Sequence, residues 1–91
     1  MILTRDQELV LGAIAGLCRE DQGVPVTISA VHHTFTDMDV SDLVLHLGVL
    51  LEGGLIRNAR QTTEKVSNMY VITPEGLLYY LRNIKKTPDL L

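Results

Sequence analysis

The sequence predicts a small α+β domain, four helices with a minor β-sheet, in the order helix, strand, helix, helix, strand, strand, helix. Three observations lead there. Leu43, Leu47, Leu50 and Leu51 are spaced for one face of a helix, and Gly53-Gly54 ends it, because a residue without Cβ readily takes the left-handed turn at a helix C-terminus. Leu55–Ala59 and Met69–Ile72 favour strands and flank the polar run Gln61–Asn68, the pattern of a hairpin and its loop. Thr73-Pro74-Glu75 then restarts a helix, with a hydroxyl to cap it, proline at the first helical position and a carboxylate in the first turn.

At the N-terminus, Thr4-Arg5-Asp6-Gln7 is a capping-box pattern, in which hydroxyl and amide satisfy each other's free backbone donors. The helix that follows runs to about Asp21 with Val10, Ala13, Ile14 and Leu17 inward. Leu11, Ala15 and Cys18 fall outside that stripe, so a second contact, such as another copy of the chain, is expected there. Gly12 and Gly16 weaken the helix by up to about 1 kcal/mol each relative to Ala and allow another backbone to come close. Val24-Pro25-Val26 is extended, since a residue before proline avoids the helical region, and supplies the short first strand. Thr27 or Ser29 caps a short second helix from Ile28 to about Phe35, burying Ile28, Val31 and Phe35. Thr36–Asp39 is a turn, and Ser41 caps the third helix. The fourth helix hides Leu77, Leu81 and Ile84 and turns Tyr79, Arg82 and Asn83 away. Residues 87–91 form a tail, leaving an ordered core of about 4–86 in a single domain, 1–91.

A chain of 91 residues holds one modest core, and with 46% apolar and 21% charged residues it describes a folded globular protein. With one Phe, three Tyr and no Trp, that core is filled by Leu, Val and Ile. The single Cys18 excludes an internal disulfide and fits a reducing compartment. The N-terminus carries no basic-then-apolar leader, and no uncharged apolar run approaches the roughly 20 residues that span a bilayer. A soluble, cytoplasmic chain with no membrane partner is expected. A net charge of −3 and a pI near 5.4 work against nucleic-acid binding as a whole, though the distribution of charge decides.

The segments LLEGGLIRN and YVITPEGLLYYL resemble the end of the recognition helix and the wing-to-last-helix junction of winged helix-turn-helix proteins. MarR-like, ArsR-like and PadR-like regulators carry such a junction, as do small phage and plasmid proteins. The resemblance covers about residues 4–86 and implies a winged helix-turn-helix fold, with a DNA-binding transcriptional regulator acting as a homodimer. Arg57, Arg60 and Lys65 lie on the hairpin among the hydrogen-bonding Gln61, Thr62, Thr63, Ser67 and Asn68. Such a wing can follow a phosphate backbone or enter a minor groove. The implied DNA-binding set is Ser41 at the start of the third helix, with Arg57, Arg60, Gln61, Thr63 and Lys65 on the wing. The plainer reading is a solvated hairpin tip, and Arg82, Lys85 and Lys86 read as cations suited to a helix C-terminus.

The third helix departs from the family pattern. With Leu43, Leu47 and Leu50 inward, it turns Ser41, Asp42, Leu45, Gly48, Val49 and Glu52 outward, a face with two carboxylates and no cation. Leu45 and Val49 cannot donate hydrogen bonds to base edges, and the carboxylates repel phosphates. The alternative function is therefore a protein-interaction adaptor that uses this acidic and apolar face, against the plainer reading of scattered surface leucines. Tyr79 and the leucine tail are the expected dimer contacts.

His32, His33 and His46 with Cys18 raise the question of a metal site. Adjacent histidines on a helix diverge by about 100°, and no CxxC, HxxxH or acidic cluster accompanies them. The histidines therefore read as structural, Cys18 as a small buried apolar residue, and no metal or other cofactor is expected. No GxSxG, phosphate-binding glycine loop or paired carboxylates are present, so no enzyme is expected.

Overall fold

A computed structural model of the chain describes residues 2–19, 23–59 and 69–85. The capping box forms: the Gln7 N–H donates to Thr4 Oγ1 (3.2 Å) and the Thr4 N–H to Gln7 Oε1 (3.0 Å), starting α1 (Arg5–Leu17). The helix stops short of the expected Asp21. Cys18 caps it, Arg19 turns left-handed (φ 57°), and the Val24 N–H donates back to the Cys18 carbonyl (3.1 Å), folding the chain toward the sheet.

The inward face of α1 is wider than the predicted stripe. Val10, Leu11, Ile14, Ala15 and Cys18 are all buried, whereas Ala13 is half-buried and Leu17 exposed. Leu11, Ala15 and Cys18 thus belong to the core of the chain itself, because α1 is covered from several sides at once, by α2 (Ile28–Thr34), α3 (Val40–Glu52), strand β3 (Met69–Ile72) and the C-terminal helix. The second contact expected at those residues has no surface to use.

Three strands form an antiparallel sheet in the order β1 (Val26–Thr27), β3, β2 (Ile56–Asn58). Val26 pairs with Tyr70, Ile56 with Ile72 and Asn58 with Tyr70, and the Ala59 N–H carries the ladder one residue on to the Met69 carbonyl (2.8 Å). As the central strand, β3 is covered on both faces, and Tyr70, Val71 and Ile72 are all buried. The hairpin tip expected at Gln61–Asn68 lies outside the described residues.

The junction between α3 and the sheet is the tightest part of the fold. Gly54 (φ 75°) closes α3 in a Schellman motif: the Leu55 N–H donates to the Leu50 carbonyl (3.0 Å) and the Gly54 N–H to the Leu51 carbonyl (3.1 Å). Thr73 then ties the far end of the hairpin to this stop. Its Oγ1 donates to the Gly54 carbonyl (2.6 Å) and accepts from the Gly76 N–H (3.0 Å), while its own N–H donates to the Leu55 carbonyl (3.0 Å). One side chain therefore caps α4 (Pro74–Tyr79) and closes the base of the hairpin. Gly76 is required by space: a Cβ there would fall on the Leu55 carbonyl and within 2.9 Å of Ile72 Cγ1.

After α4 the helix widens into a π-helical stretch, Tyr80–Ile84, in which the Lys85 N–H reaches the Tyr80 carbonyl (2.8 Å). Tyr80 and Ile84 lie against α1 at Gly12, where an added Cβ would sit 3.5 Å from Ile84 Cγ2 and 3.7 Å from Tyr80 Cε1. The neighbours that Gly12 meets are side chains at ordinary contact distance, not the close backbone expected from its lack of Cβ. Tyr79, expected to point away, is half-buried, and its hydroxyl donates to Glu8 Oε2 of α1 (3.1 Å).

Candidate nucleic-acid interface

α2, a turn and α3 make the helix-turn-helix unit. Thr27 caps α2 by accepting the Ala30 N–H (3.1 Å). The turn is closed by the Met38 N–H on the Phe35 carbonyl (3.0 Å) and by His32 Nε2 on the Met38 carbonyl (3.0 Å). A carbonyl can only accept, so His32 carries its proton on Nε2 and serves as a strut across the turn. This tight turn delivers the chain to α3 earlier than expected. Asp39 holds the capping position, without a side-chain bond, and Val40 is the first helical residue. Ser41 does not cap α3 and lies exposed within its first turn.

Leu43, Leu47 and Leu50 are buried, as their spacing predicts, which turns the opposite face of α3 to solvent. Leu45 is 68% exposed and Val49 37%, with Ser41, Asp42, Gly48 and Glu52 exposed around them. Val40 at 50% and Val44 at 46% widen the apolar patch. Periodicity alone missed these two because they lie on the flank of the helix, where exposure depends on how far α2 and the sheet extend. From residue 20 to residue 56 the chain has no Lys or Arg and six Asp or Glu: Glu20, Asp21, Asp37, Asp39, Asp42 and Glu52.

Past this stretch the basic residues resume at the sheet. Arg57 is exposed on β2, sharing its register position with Val71, and its Nη1 makes one long bond to the Asn58 carbonyl (3.5 Å). Arg60, Gln61, Thr63 and Lys65 of the wing set lie outside the described residues. Ser41 lies in the first turn of α3 and Arg57 on the strand that follows its C-terminal end, on two different elements. Leu45 and Val49 sit one turn apart on one face. Tyr79 belongs to a different surface, against α1.

Burial pushes the Cys18 thiol above its ordinary value, outweighing a backbone hydrogen bond at Ile72, so the thiolate that redox or metal chemistry needs is disfavoured. Burial likewise raises Tyr70. Tyr79 is raised by burial first, with the Glu8 carboxylate adding to the effect and a backbone bond at Leu3 opposing it. Among the described residues, no three His, Cys, Asp or Glu side chains gather to hold a metal ion. No described helix is long and apolar enough to cross a membrane.

Neither a protein-family model nor a curated protein matches the chain. Among solved structures it is similar to MarR from E.coli in its reduced form, with a TM-score of 0.69 and 17% sequence identity, over 98% of this chain and 67% of that one. A likeness that spans nearly the whole chain at so low an identity is a likeness of fold, and the chain has the winged helix-turn-helix fold.

Proposed function

We propose that the chain binds duplex DNA as a winged-helix transcriptional regulator and holds the phosphate backbone with its wing. One observation carries this reading: Arg57 stands exposed at the root of the hairpin, opening a stretch of sequence in which Arg57, Arg60 and Lys65 outnumber one carboxylate, Glu64, in an otherwise acidic chain. A guanidinium has five donors in a fork that matches phosphate, and Arg57 commits one of them, weakly, among the described residues. Gln61, Thr63 and Lys65 extend the contact along the tip, and Ser41 is the neutral hydrogen-bonding group at the first turn of α3. The active form is a cytoplasmic homodimer, whose paired wings engage two sites on one duplex.

The test is a salt titration with random-sequence duplex DNA. Each phosphate contact contributes about 0.9 to the slope of log affinity against log salt, so Arg57→Ala with Arg60→Ala should flatten the slope by nearly two and weaken binding at low salt. An unchanged slope, with circular dichroism showing the variant folded, removes the wing from the interface. Sedimentation of the wild-type chain as a monomer at binding concentrations removes the dimer.

A further inference from the structure

The outward face of α3 is built in a way that neither DNA nor the interior of the chain explains. Ser41, Leu45, Gly48 and Glu52 follow one another down its middle, opposite the buried Leu43, Leu47 and Leu50, with Val44 on one flank and Val49 and Asp42 on the other. Gly48 sits in the interior of a 13-residue helix, where glycine is disfavoured, yet an added Cβ would meet nothing within 4 Å. Nothing in the chain itself requires that glycine. The position is open to solvent between Val44, Leu45 and Glu52, where an incoming side chain finds room.

From these features we infer that this face docks a cationic amphipathic helix of a partner protein, one apolar side chain seated over Gly48 and its Lys or Arg residues on Asp42 and Glu52. The charge pattern selects the occupant. The described residues from 23 to 56 include four carboxylates, Asp37, Asp39, Asp42 and Glu52, and no Lys or Arg, so this face disfavours a phosphate backbone and favours a cationic segment. The same face on a second copy would bring like carboxylates together. Three exposed apolar residues, Val44, Leu45 and Val49, lie around the Gly48 position and suit the apolar stripe of an incoming helix. This goes beyond the wing: Ser41 apart, the two surfaces use different residues, so the Arg57 and Arg60 variant tests the wing and the Leu45 and Val49 variant tests this face.

The full chain is titrated with a fluorescent leucine–lysine amphipathic peptide of about four turns, and with its leucine–glutamate counterpart. Saturable one-to-one binding of the lysine peptide alone is expected. Leu45→Ser with Val49→Ser, which removes apolar area at exposed positions without adding charge, should weaken it at least about tenfold. Asp42→Asn with Glu52→Gln should flatten its salt dependence. Gly48→Ala should take up that room, weakening the peptide while raising the Tm by about 4 °C, two changes of opposite sense that a merely structural glycine would not produce. Equal binding of the glutamate peptide, or affinity unmoved by the Leu45 and Val49 variant, overturns the proposal. So does a wild-type dimer that this variant dissociates, since the occupant would then be a second copy. Loss of duplex DNA binding in the same variant also overturns it, since α3 would then face the groove.

Discussion

At Gly76 and Gly12 the same substitution should act in opposite directions. A methyl group at Gly76 would collide with the Leu55 carbonyl, an atom fixed by its bond to the Thr73 N–H, so Gly76→Ala should destabilise by about 1–3 kcal/mol. At Gly12 the new methyl would rest at 3.5–3.7 Å from Ile84 and Tyr80, an ordinary contact, and the gain in helix propensity should stabilise by up to about 1 kcal/mol. Urea unfolding of both variants reads the two signs, and a stable Gly76→Ala would mean that the junction can relax. Cys18 gives a pH test. Its folded pKa lies above the unfolded value near 9.0, so both states hold the proton at lower pH, and the unfolded state loses it first as pH rises. Stability should therefore fall above about pH 9, less steeply in Cys18→Ala, and the native thiol should resist alkylation until the chain unfolds. The capping role of Thr73 was legible in the sequence, because proline and glutamate follow it. The need for glycine at 76 was not, because the atom that forbids a side chain, the Leu55 carbonyl, belongs to the distant link between α3 and β2.

Among the elements, legibility followed periodicity and failed at their ends. The inward leucines of α3, the arms of the hairpin and both N-terminal caps of α1 and α4 are set by local chemistry, and they form where the residues indicate. The start of α3 is set instead by the bond from His32 to the Met38 carbonyl, across six residues, and that moved the cap from Ser41 to Asp39. The face of α1 was misjudged for a related reason. A stripe read from one helix assumes one neighbour, and α1 has several, so Leu11, Ala15 and Cys18 are interior. Thr4→Ala tests the local chemistry directly. It removes one half of the capping box and should cost about 1 kcal/mol in thermal or urea unfolding, while an unaffected midpoint would mean the tertiary contacts of α1 hold its first turn unaided.

Taken whole, the molecule distributes its charge unevenly along the chain. The helix-turn-helix unit is acidic and apolar, and six of the eight Lys and Arg residues follow it in sequence, from Arg57 onward. That asymmetry was readable from the sequence, but which apolar residues of α3 stand clear of the body was only partly so, since the exposure of Val40 and Val44 depends on packing that no spacing encodes. The helix and the sheet are also mechanically joined. Thr73 grips the carbonyls of both Gly54 and Leu55, so the base of the sheet cannot shift without unfastening the stop of α3. The fold behaves there as a fixed caliper, its jaws set during folding, and any long ligand that spans α3 and the exposed end of β2 must do the bending itself.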